Sequence, residues 1–203
     1  AVSGGLFTPE GRAGGSEVVA GEVRRVGGRP SLAWRPGSDP WMGIPTAEGD
    51  SMLSLGWVLL REAGDGRTEA LGGFPLLLSQ GIRVGDLGVG ERPAFAGERH
   101  PRTAVGFDAD ESLFWVVVVD GRQPTLSAGM TLPELASVLE ALGAEEAVNL
   151  DGGGSSVMVV GGEPVSSPSD VEGERPVANA LGILRDPGLC RLGEDTASRE
   201  PVG

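Results

Sequence analysis

The chain has 203 residues, a net charge of −13, 16 arginines without a single lysine, and 39% apolar residues. That length supports one domain with a real core and is short for two. Such an acidic balance repels nucleic acid and anionic membrane, so neither is expected as a partner, and an anionic substrate would need arginines gathered locally. No apolar run approaches the roughly 20 residues of a membrane span. The lone Cys190 excludes an intrachain disulfide. The 35 glycines and 15 prolines lie between apolar runs without a period, as in a turn-rich, strand-rich globular fold.

Ala1-Val2 reads as the tail of a strand, and Val18 to Val26 as a strand. Residues 27–54 read as a long irregular excursion carrying Trp34 and Trp41, two rings able to line a sugar site or to anchor the loop on the core. Leu55 to Leu60 is a predicted strand followed by a turn at Ala63 to Gly66. Residues 72–78 and 82–84 bracket another turn. Thr103 to Phe107 is a short predicted strand. Leu113 to Val119 is apolar on consecutive positions, which predicts a central strand covered on both faces. A helix is predicted from N-cap Thr131, with Glu134 completing a capping box and Pro133 in the first turn. Its apolar face is Leu132, Leu135, Ala136, Val138, Leu139 and Leu142, and Gly143 stops it. Strands are predicted at 146–150, 157–160 and 177–184, then a flexible tail over 186–203. The predicted class is α+β: a strand-dominated single domain over 1–185, with a mixed β-sheet and few helices.

Chemistry concentrates at strand ends. The run Asn149-Leu150-Asp151-Gly152-Gly153-Gly154-Ser155-Ser156 places a carboxylate before three glycines whose backbone N–H groups are unshielded and whose φ can be positive. Such a turn suits an anion or a sugar hydroxyl, and it also suits a hairpin with no ligand. Four more segments put a charged or amide residue beside Gly or Pro: His100-Pro101-Arg102-Thr103, Asp120-Gly121-Arg122, Pro168-Ser169-Asp170 and Glu174-Arg175-Pro176-Val177-Ala178-Asn179. If the strands bearing them lie side by side, their ends meet on one rim. Arginines there could grip a phosphate through paired hydrogen bonds, and carboxylates could serve at an anomeric carbon or hold a hard cation. Plainer readings stand beside these: Asp120 in an ion pair with Arg102 or Arg175, Glu174 solvated next to Arg175, His100 bonded to backbone in a turn, Ser169-Asp170 as a turn only. Ser155 has no partner base in view, so a serine-hydrolase triad is not expected.

Together with Gly73-Phe74-Pro75-Leu76-Leu77 and Gly129-Met130-Thr131-Leu132-Pro133-Glu134-Leu135-Ala136, and in chain order along residues 70–185, the segments at 100–106, 119–123, 149–155 and 174–181 resemble the phosphodiester glycosidase family. Ser3 stands where that family usually has Asn, and Leu6 where it usually has an aromatic residue. The resemblance implies a hydrolase that cleaves a sugar-1-phosphodiester, of the N-acetylglucosamine kind, between the anomeric carbon and the phosphate oxygen. It also implies work outside the cytoplasm, in carbohydrate metabolism at the cell envelope or beyond. On residue chemistry, Arg102, Arg122 and Arg175 are assigned to the phosphate, and Asp151, with Asp120 second and His100 as a possible acid, to catalysis. Gly152, Gly153, Gly154 and Ser155 would orient substrate, and Asn179 would bind a sugar hydroxyl. A Ca²⁺ or Mg²⁺ ion, if one takes part, would sit on Asp151 and Asp120. The alternatives are a non-catalytic envelope glycan-binding module and a glycosidase acting on an ordinary exopolysaccharide α-linkage. Oligomeric state is not legible.

Overall fold

The computed structural model describes residues 1–8, 10–35, 40–43, 68–108 and 113–185. In chain order the elements are β1 (Val2–Ser3), β2 (Glu17–Val19), β3 (Glu22–Arg25), β4 (Ser31–Trp34), β5 (Trp41–Gly43), β6 (Glu69–Gly72), β7 (Leu76–Ser79), β8 (Ile82–Arg83), α1 (Pro93–Ala96), β9 (Arg102–Asp108), β10 (Leu113–Val119), α2 (Leu132–Ala141), β11 (Glu146–Asn149), β12 (Val159–Val160), β13 (Glu163–Pro164) and β14 (Ala180–Leu181). They form a strand-dominated α+β domain. One five-stranded sheet has the order β3-β2-β6-β4-β5, a second has β10-β9-β11-β7-β8, and β1 with β14 and β12 with β13 make two small ladders.

All described pairings are antiparallel, so the expected mixed sheet is refined to an antiparallel one. The reason is topological. Because β10 and β11 both run antiparallel to β9, they run parallel to each other, linked by α2. With β9 between them no parallel pair forms. The same order gathers three chain ends: Val119 lies opposite Arg102, and Asn149 opposite Ala104. The start of β9 and the ends of β10 and β11 therefore share one edge of the sheet.

Helix α2 has the predicted cap. The Thr131 hydroxyl accepts from the Glu134 N–H, and the Glu134 carboxylate accepts from the Thr131 N–H at 2.9 Å. Leu132, Leu135, Ala136 and Leu139 are buried against Leu77, Leu78, Ala104 and Ala147. Leu142 is 46% exposed, outside the apolar stripe. Strand β10 has the predicted bounds but lies at the edge of its sheet, not its centre. Its apolar run is still used on both faces: Trp115, Val117 and Val119 pack on the α2 side, and Phe114, Val116 and Val118 on the opposite cluster with Val105, Val148 and Leu150.

Two readings are corrected. The predicted strand from Val18 to Val26 is the hairpin β2–β3, because Ala20 and Gly21 both take positive φ (51° and 76°) and turn the chain back. The excursion at 27–54 contains β4 and β5, with Ala33 opposite Trp41. Trp34 and Trp41 pack on core clusters with Leu32 and Ala33, and neither lines the site described below. The strand at Leu55 to Leu60, the turn at 63–66, Cys190 and the tail at 186–203 lie outside the described residues.

Thr131→Ala leaves one N-terminal N–H of α2 without its partner, and unfolding in urea should show about 1 kcal/mol lower stability with an unchanged slope. An unaltered midpoint would mean that the cap contributes nothing in this context.

Candidate active site

At the shared edge, a cleft of about 250 Å³ is lined by Leu6, Phe95, His100, Arg102, Arg122, Asn149, Asp151, Gly152, Gly153, Gly154 and Arg175. Four of the five segments singled out from the sequence thus contribute a lining residue; the other, at Pro168 to Asp170, approaches through its ion pair with Arg175.

Arg102 is the largest fully buried side chain of the described residues, at 2% exposure. Its guanidinium is held by main-chain carbonyls alone: Nε donates to Met130 (2.9 Å), and Nη2 to Phe95 (2.6 Å) and Glu98 (3.1 Å). The Phe95 ring lies 5.4 Å from its guanidinium carbon. Burial, then the neighbouring charge of Arg122, pull its pKa down to about 10, so it remains a cation at neutral pH. Arg122 has φ +57°, and its Nη2 lies 3.2 Å from Nδ1 of His100. Nε2 of His100 lies 2.8 Å from the Ala94 carbonyl. A carbonyl only accepts and a guanidinium only donates, so these two contacts specify the neutral Nε2–H tautomer of His100. The His100 ring positions Arg122 and has no nitrogen left for a general acid. Neither Arg102 nor Arg122 has a carboxylate partner among the described residues. Two adjacent cations without a carboxylate partner leave local positive charge uncompensated.

Asp151 follows β11 and supplies the carboxylate. Burial raises its pKa above the usual 3.8, opposed by hydrogen bonds from the Ser155 hydroxyl and the Gly152 N–H and by the charge of Arg175. Its backbone is tied to the first residues of the chain: its N–H donates to Gly4 (2.9 Å) and its carbonyl accepts from Ser3 Oγ (3.3 Å). Ser3 is buried and also bonded to Thr103 Oγ1 at 3.1 Å, so it steadies Asp151 from below, and Leu6 forms part of the wall.

The three glycines act differently from the expectation of a free N–H cradle. The Gly152 N–H serves the Asp151 carboxylate, and the Gly153 N–H donates to Pro101 at 2.9 Å. What the run provides is room. A Cβ at Gly153, whose φ is +62°, would meet Arg122 Nη1 at 3.3 Å, and one at Gly154 would collide with the Arg175–Asp170 ion pair. Ser155 is buried at 2% and orients Asp151, not substrate.

Three assignments are relocated. Asp120 does not line the cleft; its Oδ1 accepts from the Ser167 N–H at 2.8 Å. With Gln123, which accepts from the Ser167 hydroxyl at 3.0 Å and donates to its carbonyl at 2.8 Å, it fastens the loop that brings Asp170 and Arg175 over Gly154. Among the described residues it forms no ion pair with Arg102 or Arg175. Among the described residues no group of three or more His, Cys, Asp or Glu is placed to hold a metal ion. Asn179 does not line the cleft either: its Oδ1 accepts from Gly5 (3.0 Å) and its Nδ2 donates to Glu17 (2.7 Å), so the amide pins the N-terminal segment. Arg175 reaches the cleft but gives Nε and Nη2 to Asp170, at 2.7 and 2.5 Å, and so carries less unneutralised charge than the other two arginines. Three lining residues escaped the sequence reading: the apolar walls Leu6 and Phe95, and Asn149. The signal for Asn149 was present, an amide inside the apolar run Ala147 to Leu150.

The strand edge thus gathers three guanidiniums, two of them without a carboxylate partner among the described residues, around one half-buried aspartate. The chain matches the profile of the phosphodiester glycosidase family over residues 1–184 and belongs to that family. Over 85 residues it is 39% identical to the SPbeta prophage-derived protein YomE of Bacillus subtilis, an overlap of 42% of this chain and 13% of that protein. Its fold is similar to the catalytic domain of zebrafish N-acetylglucosamine-1-phosphodiester alpha-N-acetylglucosaminidase auto-inhibited by its pro-peptide, with a TM-score of 0.65 and 24% identity over 83% of this chain and 55% of that one. It is also similar to a protein from Synechocystis, with a TM-score of 0.60 and 19% identity over 82% and 48% of the two chains. The chain thus spans about half the length of these structures. No helix among the described residues is long and apolar enough to cross a membrane.

The raised pKa of Asp151 has a consequence for stability. A carboxyl whose folded pKa exceeds its unfolded value stabilises the fold while protonated, and that contribution is lost as pH rises through the folded value. Asp151→Asn should therefore raise the melting temperature at neutral pH, and the gain should shrink as pH falls toward 3.8. Equal melting temperatures of the two proteins at both pH extremes would contradict the desolvation argument.

Proposed function

We propose that the cleft hydrolyses a sugar-1-phosphodiester, of the N-acetylglucosamine class, at the bond between C1 and the phosphate oxygen. Arg102 and Arg122 hold the phosphate, Arg175 adds a weaker contact, and Asp151 faces the anomeric carbon. One observation supports this most directly: among the described lining residues Asp151 is the one carboxylate, and the other charged side chains there are Arg102, Arg122 and Arg175. An ordinary glycosidase needs two carboxyl groups because an alkoxide leaves poorly without a proton. A phosphate monoester leaves with the bonding electron pair as an already stabilised anion, so fixed positive charge replaces the proton donor. Water adds to C1, its proton passing to the Asp151 carboxylate, and the products are the free sugar and a phosphate monoester. A cleft of about 250 Å³ falls below the ~300–1,000 Å³ of drug-sized ligand sites. It suits one sugar ring with its phosphate, not a length of polymer.

The test is release of N-acetylglucosamine from its 1-phosphodiester. Arg122→Ala should lower kcat/KM by about 10²–10³-fold, the scale of removing one charge-stabilising donor. His100→Ala should lower it less, by freeing the Arg122 side chain. Phosphodiester binding without turnover by the unaltered protein would favour the glycan-binding module, and turnover of a neutral α-glycoside at an equal rate would favour the ordinary glycosidase.

Because the ionised carboxylate is required, activity should fall on the acid side at a pH above 3.8, the usual Asp value. Ser155→Ala removes a hydrogen bond that lowers the Asp151 pKa, so the acid limb of the kcat/KM profile should move further up. A limb that moves down, or a loss of activity on the basic side only, would assign Asp151 a different protonation state.

A further inference from the structure

Resting on that reading, the geometry points to Asn149 as the residue that selects the sugar end of the substrate, through a side-chain oxygen reserved for a hydrogen-bond donor on the ring. Asn149 is 1% exposed and lines the cleft beside Asp151. All of its polar atoms but one are committed. Its N–H donates to Pro75 (3.1 Å) and its carbonyl accepts from Phe74 (2.8 Å). Its Nδ2 donates to the Phe74 and Leu150 carbonyls at 2.7 and 2.9 Å. Two carbonyl partners can be met only by the NH₂ group, so the amide orientation is dictated, and the atom left over is Oδ1. That oxygen has no partner.

A buried acceptor without a donor is a standing free-energy deficit, relieved when a ligand supplies an O–H or N–H. The phosphate cannot do so at neutral pH, since its oxygens only accept. Asn149 therefore sorts the two ends of the substrate: phosphate toward the guanidiniums, carbohydrate toward the amide. Clamped on four sides, the oxygen is fixed before binding and need not be reoriented. The donor is either the N–H of a 2-acetamido group or a ring hydroxyl.

The experiment uses the full chain with a series of 1-phosphodiesters of the same aglycone: N-acetylglucosamine, glucose, and the 3-, 4- and 6-deoxy forms of the N-acetylated sugar. The expected result is one position at which removing the donor lowers kcat/KM by about 10²-fold or more, as when a site built for a hydroxyl meets its deoxy analogue. Loss confined to the glucose compound identifies the acetamido N–H, and loss at one deoxy position identifies that hydroxyl. In Asn149→Ala the same substitution should cost only a few-fold, because the acceptor that the donor addressed is gone. A purely structural role would lower every substrate equally. If Asn149→Ala does not fold, the series on the unaltered protein decides alone. A flat series with the parent compound hydrolysed overturns the role of Asn149 and leaves the proposed function standing. If the parent is neither hydrolysed nor bound, the reading on which this inference rests fails instead.

Discussion

The fold at this site depends on one buried cation that has no carboxylate partner among the described residues. Arg102 begins β9, and three main-chain carbonyls, from α1, the segment after it and the residue before the α2 cap, hold its guanidinium. Carbonyl dipoles orient a charge and partly solvate it without neutralising it. Removing such a charge from water is expensive, by several kcal/mol even after relaxation. A carboxylate partner would have relieved that expense, and a chain with 29 acidic residues had many to offer. Its absence keeps the positive potential available to a ligand. Arg122 deepens the same potential, turned toward the cleft through a positive φ and a histidine used as a hydrogen-bond acceptor.

Asp151 is poised by effects of opposite sign. Burial disfavours its charge, while Ser155, Gly152 and Arg175 favour it, and burial prevails. A carboxylate that is incompletely solvated by its donors is more basic than one in water, which is the direction that the proposed proton-accepting role requires. The same imbalance makes the folded state carry a penalty at neutral pH. The residue sits between the end of β11 and a three-residue helical turn, whose Ser155 hydroxyl, with the Gly152 N–H, bonds its carboxylate.

How much of this was legible in the sequence divides along physical lines. The capping box of α2 and the bounds of β10 are local, so spacing reveals them. The meeting of residues 100–102, 122 and 151 was legible in form, since each sits at a strand end. That they meet follows from the order β10-β9-β11, which periodicity does not encode. The readings that needed correction all turn on long-range partners. Asp120 and Asn179 look like site residues because both are polar beside small residues at strand ends. Their partners, Ser167 in one case and Gly5 with Glu17 in the other, are 47 to 174 residues away. The glycine run was legible as unusual, yet its reason lay in the side chains of Arg122, Asp170 and Arg175 that press on it, not in its own N–H groups.

The same long-range bonds explain why the first residues of the chain belong to the site. Ser3 and Gly4 bind the backbone of Asp151, and Gly4 and Gly5 are bound in turn by Asn179. A Cβ on Gly4 would run into the Asn179 side chain, so the approach is as close as backbone allows. The floor beneath the aspartate is thus a three-part lamination of β1, the end of β11 and the segment entering β14, joined across almost the whole sequence. A floor of this kind forms only when distant segments dock, so its rigidity is tied to completed folding. The N-terminal segment then acts in two ways at once: Leu6 shapes the wall, and Ser3, where the family usually places Asn, holds the catalytic candidate from behind. A short hydroxyl suffices there because its partners, the Asp151 carbonyl and the Thr103 hydroxyl, already lie within about one side-chain length of the strand.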